Sequence, residues 1–351
     1  MPLTHSTVWW PRHRLFLSLG RHRYDLATRA LVMGILDCTT DSFHDDGSHF
    51  NLDRFFERAE QLIREGADLL DMGGVKAGPG PQVTEEEELD RVVPVIASLR
   101  DRFDLPLSAD TWRTSVARAA FEAGAVVGND MSGFADPEYL SVAAAAGASV
   151  VATHARLSPR VPDHAPHLDD VVAEVEDFLL MRAERALLSG IPADHIILDA
   201  GLELGKTAHQ SLLLLQGSAR LASLGYPLLL SSSDKTPLGV PPELGFCERR
   251  NASLAAAAAG IAGGCRLIRV HDVTGTCKVR DLLAAILESA PQHGAGPEGA
   301  GPVRAGVEEA GVEEAGVEEA RVEEAGPEEA AVDRAGPQQA GETALGPGML
   351  R

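Results

Sequence analysis

Along the first 290 residues, short apolar runs alternate with longer stretches of helical periodicity. The runs that read as strands are Leu31–Thr39, Leu69–Gly74, Pro106–Thr111, Ala125–Asp130, Ser149–His154, Ile196–Gly201, Pro227–Ser233 and Arg266–Asp272. Helical patterns follow each in turn: Leu52–Glu65, Glu85–Arg102, Arg113–Ala123, Pro137–Ala146, Asp169–Ser189, Ala208–Leu224, Cys247–Ala262 and Lys278–Glu288. The strand runs are apolar on both alternating positions, as parallel strands covered on both faces must be. Glycine follows several helical runs, as in Ala123-Gly124-Ala125 and Ala146-Gly147-Ala148, where it fits the left-handed cap position. Eight such units predict a (β/α)8 TIM barrel rather than an open doubly wound sheet.

Polar residues gather where these runs end. Asp110, Asn129, Asp199, Lys235, Arg269 and His271 all lie at or just past the carboxyl end of a strand. One charged strand end is ordinary and is most often a helix cap. The same pattern on strand after strand points to one shared site at a barrel mouth. Two loops on that face stand out: Thr39–Asn51, which holds Asp41, Asp45 and Asp46, and Val75–Val83, which is rich in Gly and Pro.

Composition narrows the picture further. The chain has 351 residues and a formal net charge of −21, which disfavours nucleic acid and anionic membranes as partners. From Pro291 onward there are 13 acids and 4 bases, and Val-Glu-Glu recurs every five residues. Such a segment cannot bury enough apolar surface to offset its ordering entropy, so a disordered acidic tail is expected. The domain reading is an N-terminal extension over 1–30, a barrel over 31–290 and the tail over 291–351. No run is long enough to span a bilayer and no secretory signal is recognisable, so a cytoplasmic protein is expected. The four cysteines form no CxxC pair and read as incidental thiols.

The strand-end set suggests a ligand. A fused aminopyrimidinone ring offers an NH and NH2 donor pair beside acceptor atoms; a carboxylate matches the pair, and Asn and Lys satisfy the rest. Arg269 and His271 suit phosphate, which barrels commonly bind near strands 7 and 8. An anion beside the acidic first loop calls for a cation between them, and Mg2+ is the natural one. The plainer alternatives are an Arg269–Asp272 ion pair and a core role for His271. Two further signals are weaker. Gly201–Thr207 approaches a phosphate-binding P-loop but is one residue short between its glycines. His164 and His167 read as solvated loop residues.

Several ordered motifs then carry a family resemblance, from about Leu31 to Ser289. Met33-Gly34-Ile35-Leu36-Asp37-Cys38-Thr39-Thr40-Asp41-Ser42-Phe43 resembles the opening of dihydropteroate synthases. Asp71-Met72-Gly73-Gly74, Ser108-Ala109-Asp110-Thr111, Gly128-Asn129-Asp130, Asp199-Ala200-Gly201 and Arg269-Val270-His271-Asp272 are similar to later motifs of that family. The resemblance implies that Asp110, Asn129, Asp199 and Lys235 hold a pterin ring, with Thr236 beside them. It implies that Arg269 and His271 bind its diphosphate, and that Asp37 stands where the family's Mg2+-binding Asn does. The implied reaction belongs to folate biosynthesis: p-aminobenzoate displaces diphosphate from 6-hydroxymethyl-7,8-dihydropterin diphosphate. A homodimer is implied as well.

The departures are equally specific. Asn has become Asp37, the second-loop Ser-Thr-Arg has become Lys76-Ala77-Gly78, and an Arg before the ring lysine has become Asp234. Lys76 keeps a charge there but lacks the bidentate fork of arginine. The Gly-Gly-Val-Lys-Ala-Gly-Pro-Gly loop is similar to a divergent branch of the family. Two alternatives therefore stand beside the synthase: a paralogue that binds pterin or another phosphorylated ligand without condensing it, and a pterin-dependent methyltransferase relative.

Overall fold

The structure, a computed structural model, describes residues 14–38, 44–45, 49–50, 52–75, 80, 82–161, 163, 168–233 and 246–289. Lys76, Asp234, Lys235, Thr236, His164, His167 and the acidic tail lie outside the described residues. A short antiparallel hairpin, β1 (Phe16–Leu19) and β2 (His22–Asp25), precedes the barrel. The barrel strands are β3 (Leu31–Asp37), β6 (Leu69–Gly73), β7 (Leu107–Asp110), β8 (Val127–Asp130), β9 (Ser149–Thr153), β10 (Ile196–Asp199), β11 (Leu228–Ser231) and β12 (Cys265–Val270). β4 (His44–Asp45) and β5 (His49–Phe50) pair within the first loop. The eight barrel strands close in the order β10-β11-β12-β3-β6-β7-β8-β9, and every neighbouring pair is parallel. This is the expected (β/α)8 barrel.

The helices are α1 (Leu52–Arg64), α2 (Glu85–Arg102), α3 (Thr114–Ala123), α4 (Tyr139–Ala146), α5 (Val171–Leu188), α6 (Ala208–Gln216), α7 (Ser218–Ala222), α8 (Phe246–Ala262) and α9 (Val273–Ser289). Gly124 and Gly147 do end α3 and α4 in the left-handed conformation, at φ 113° and 64°. Most boundaries fall within two residues of the sequence pattern, and two helices depart further. The run expected as one helix over Ala208–Leu224 breaks at Gly217, where the Ser218 hydroxyl donates to the Leu215 carbonyl at 2.7 Å and competes with the helical ladder. The last helix starts at Val273 rather than Lys278, because the Asp272 carboxylate accepts from Gly275 N at 3.0 Å and caps it.

Alternation along the strands divides the apolar residues into two cores. Val32, Leu36, Leu70, Met72, Leu198 and Ile268 face outward to the helices. Leu31, Met33, Leu69, Val127, Val151, Ile197, Leu229 and Leu267 fill the barrel interior. Within residues 1–30 the hairpin packs on the barrel: Leu17, Leu19 and Leu26 are fully buried and join the interior cluster. The β2 run, His-Arg-Tyr-Asp, shows no apolar alternation that would reveal it.

Arg266 ties this hairpin to the barrel. Its fully buried guanidinium donates to the Leu26 carbonyl at 2.9 Å, and to the Ile261 and Cys265 carbonyls at 3.0 Å each. Burial pushes its pKa down to about 10. Arg266→Met should therefore destabilise the fold by about 2–4 kcal/mol, since the carbonyls lose charged donors inside the protein. Urea unfolding reads this as a lower midpoint at unchanged slope; an unmoved midpoint would show that the hairpin is held by its leucines alone.

Candidate active site at the barrel mouth

Inward-facing positions change character from floor to mouth. Side chains two residues apart on a strand share a face. Leu69 is followed on that face by Asp71, Val127 by Asn129, Ile197 by Asp199, and Leu267 by Arg269. The first of each pair belongs to the apolar interior. The second lies one layer higher, toward the carboxyl ends of the strands. The polar set is thus carried by rigid strands and supported from beneath by packed side chains.

Asp71 is the hub of this layer and is fully buried. Its carboxylate accepts from Ser108 Oγ at 2.5 Å, Asn129 Nδ2 at 3.1 Å and Arg269 Nε at 2.6 Å. Arg269 also donates through Nη2 to Asp110 Oδ2 at 2.8 Å. One arginine therefore spans two carboxylates, and one carboxylate orients both Asn129 and Arg269. Burial pushes the Asp110 carboxyl upward, with Asp71, Asp37 and Glu88 adding to the shift and Arg269 opposing it. Burial disfavours the Arg269 cation too, but Asp71 and Asp110 outweigh it and hold the guanidinium firmly charged. A ligand that donates to Asp110 favours its ionised form.

The rim is more open. Asp37 ends β3, and its Oδ2 lies 4.0 Å from His271 Nε2, with both side chains more than two-fifths exposed. Ser233 Oγ accepts from His271 N at 3.1 Å and lies 3.0 Å from His271 Nδ1. Asp199 ends β10 and accepts from Gly201 N at 2.8 Å. Gly201 has φ +62°, and a Cβ there would lie 2.0 Å from the His154 carbonyl, so only glycine lets the two loops meet. Lys206 fixes the same junction by donating to the carbonyls of His154, Gly201 and Leu204 at 3.1, 2.7 and 3.1 Å. The near-P-loop is thus a loop held by its lysine.

Of the expected site residues, Asp110, Asn129 and Arg269 meet through Asp71, while Asp37 and His271 meet at the rim. Arg269 is not the partner of Asp272, which pairs with Arg250 through two hydrogen bonds of 2.5 and 3.2 Å. Lys76, Lys235 and Thr236 fall outside the described residues. Asp71 does not stand out among the strand-end residues because it sits inside β6 rather than at its end. Its spacing of two from Leu69 was the available signal.

The Pterin binding enzyme family model matches residues 33–271. The chain is 39% identical over 271 residues to the "Inactive dihydropteroate synthase 2" of Mycobacterium leprae, covering 76% of this chain and 93% of that one. It is 37% identical over 273 residues to the dihydropteroate synthase of Synechocystis, covering 76% and 94%. Two structures of the Xanthomonas albilineans dihydropteroate synthase, one with 4-aminobenzoic acid and one with 7,8-dihydropteroate, match with TM-scores of 0.72 and 0.70. Identities are 37% and 36%, over 80% and 79% of this chain and all of the other. The chain belongs to the dihydropteroate synthase family. Within that family, its relatives include both synthases and proteins named as inactive.

His154, beside the Lys206 junction, reports on this end of the barrel. Its ring packs edge-on against Phe178 at 4.7 Å, and its pKa is pushed down to about 3, first by burial and then by Lys206. A folded pKa below the unfolded value of about 6.5 stabilises the fold fully above that value, and the contribution is lost as pH falls toward 3. The slope from this residue is at most one proton, about 1.4 kcal/mol per pH unit. His154→Gln should flatten the fall in unfolding free energy between pH 6.5 and 4 by up to that amount. An unchanged acid limb would mean that His154 titrates alike in both states.

Proposed function

We propose that this chain acts at its barrel mouth as a dihydropteroate synthase-like transferase of folate biosynthesis. The observation that carries the reading is the layer in which Asp71 holds Asn129 and Arg269 while Arg269 holds Asp110. Asp110, Asn129 and Asp199 supply acceptors and a donor for a pterin ring, and the proposal adds Lys235 and Thr236 to them. Arg269 and His271 face the diphosphate. The p-aminobenzoate amine attacks the pterin methylene carbon; a C–N bond forms, the C–O bond to diphosphate breaks, and the amine gives up a proton to water. No covalent intermediate with the protein is needed. Its contribution is to orient the two reactants and stabilise charge on the leaving group.

Mg2+ belongs to the same proposal. Among the described residues no group of three His, Cys, Asp or Glu side chains would hold a metal. Mg2+ needs no such cage, since one or two carboxylates with substrate phosphate and water suffice. The half-exposed Asp37 fits as that carboxylate. Bound there, Mg2+ would neutralise diphosphate charge. We read the protein as cytoplasmic and homodimeric. Exposed Leu180, Met181 and Leu188 on α5 support an apolar contact between copies, and among the described residues no helix is long and apolar enough to cross a membrane.

A second reading is favoured by Asp234 and Lys76-Ala77-Gly78: a protein that binds pterin and condenses it slowly. Each one-charge change is worth about 1–3 kcal/mol, or roughly ten- to a hundredfold in rate. The test joins a condensation assay to calorimetric titration with a dihydropterin. Binding should be measurable and weakened by about 1–3 kcal/mol in Asp199→Ala, with turnover well below about 1 s−1. Asp234→Arg combined with Lys76→Ser, Ala77→Thr and Gly78→Arg should raise the rate more than it changes pterin affinity. Turnover of about 1 s−1 in the unmodified protein would favour the plain synthase; absence of pterin binding would remove both readings.

A further inference from the structure

A cavity of about 470 Å3 adjoins His271, lined from α1, α8 and the turns that follow β11 and β12. Arg58, Arg250 and His271 bring its N–H groups, while Ser233 is bonded to His271 and the Ser253 hydroxyl donates to the Arg249 carbonyl at 3.0 Å. Its two carboxylates are Asp272 and Glu65. Asp272 is engaged by Arg250 on both oxygens, and Glu65 accepts from the Gln61 amide at 2.7 Å. Arg58 is different. Its Nη2 donates to the His271 carbonyl at 3.2 Å, and no carboxylate of the described residues pairs with it. Among the described residues this partly buried guanidinium meets only a neutral carbonyl, so most of its donors face the cavity.

The donor types define the ligand. A guanidinium fork matches the paired oxygens of a phosphate group, and Arg58 presents one to the cavity, with the Arg250 cation beside it. We propose that this cavity is an oxyanion subsite of the phosphate class, continuous with His271, that takes up inorganic diphosphate as it leaves the barrel mouth. The assignment rests on the pterin diphosphate reading of the mouth. Ser233 links the two regions, because its hydroxyl bonds to both the backbone N and the ring of His271 while it lines the cavity. The anion passes from Arg269 and His271 to His271, Arg58 and Arg250, so the leaving group departs along donors and away from the carboxylates of the mouth.

The test is calorimetric titration of the full chain, with chelator present so that no metal contributes. Three ligands are compared: inorganic diphosphate, inorganic phosphate and a dihydropterin without phosphate. Diphosphate should bind, and more tightly than phosphate. Arg58→Gln and Arg250→Leu should each weaken diphosphate by roughly tenfold, the loss of one charge-assisted hydrogen bond, with dihydropterin affinity unchanged. Unchanged diphosphate affinity in both variants overturns the proposal, as does the absence of diphosphate binding. Equal affinity for phosphate and diphosphate overturns the leaving-group role. Loss of dihydropterin binding in the unmodified chain is a separate result, and it removes the reading of the mouth instead.

Discussion

The site depends on one buried arrangement: the Arg269 guanidinium between Asp71 and Asp110. Moving charges into a protein interior costs several kcal/mol per ion unless geometry and further hydrogen bonds compensate. Here Asp71 is satisfied by three donors, from Ser108, Asn129 and Arg269. Arg269 in turn has two acceptors. Removing any member leaves another charge or amide without its partner in a water-poor layer, so the members hold one another in place. The same coupling fixes the Asn129 amide, which must present donor and acceptor in a defined order to any ring in the mouth.

What lies beneath the layer explains how the barrel sustains it. The interior is apolar up to Leu69, Val127, Ile197 and Leu267, and the β1–β2 hairpin seals its floor with Leu17, Leu19 and Leu26. Charged groups are confined to the next layer and the rim. Arg266, although adjacent in sequence to that interior, points the other way along the strand alternation and serves the hairpin. The barrel thus separates an end built for stability from an end built for binding, as this fold does generally. The rim itself is graded: Asp110, Asn129 and Asp199 are largely buried, while Asp37 and His271 are half-open.

Much of this was legible in the sequence because parallel strands covered on both faces read as continuous apolar runs with polar residues at their ends. Eight apolar runs gave the barrel, and polar residues at their ends gave Asp110, Asn129, Asp199 and Arg269. Asp71 was less visible because a carboxylate inside a strand looks like an exception until its inward parity with Leu69 is considered. The hairpin was invisible for the opposite reason. Its four-residue strands are too short for periodicity to accumulate, and their burial arises from contact with a distant floor. The division at Gly217 and the early start at Val273 came from side chains bonding to nearby backbone, an effect no hydrophobic pattern records. Arg58 gave no signal at all, since its setting is made by elements far apart in the chain.

The central claim is that Asp71 and Arg269 act on a ligand as one unit. A double-mutant cycle in dihydropterin affinity tests it, using Asp71→Asn, Arg269→Met and the combination, each first checked for folding by its unfolding midpoint. The account predicts that each single change weakens binding and that the double variant binds no more weakly than the worse single, a coupling of about 1 kcal/mol or more. Losses that add to within about 0.5 kcal/mol would contradict it, because they would show that the two residues meet the ligand independently.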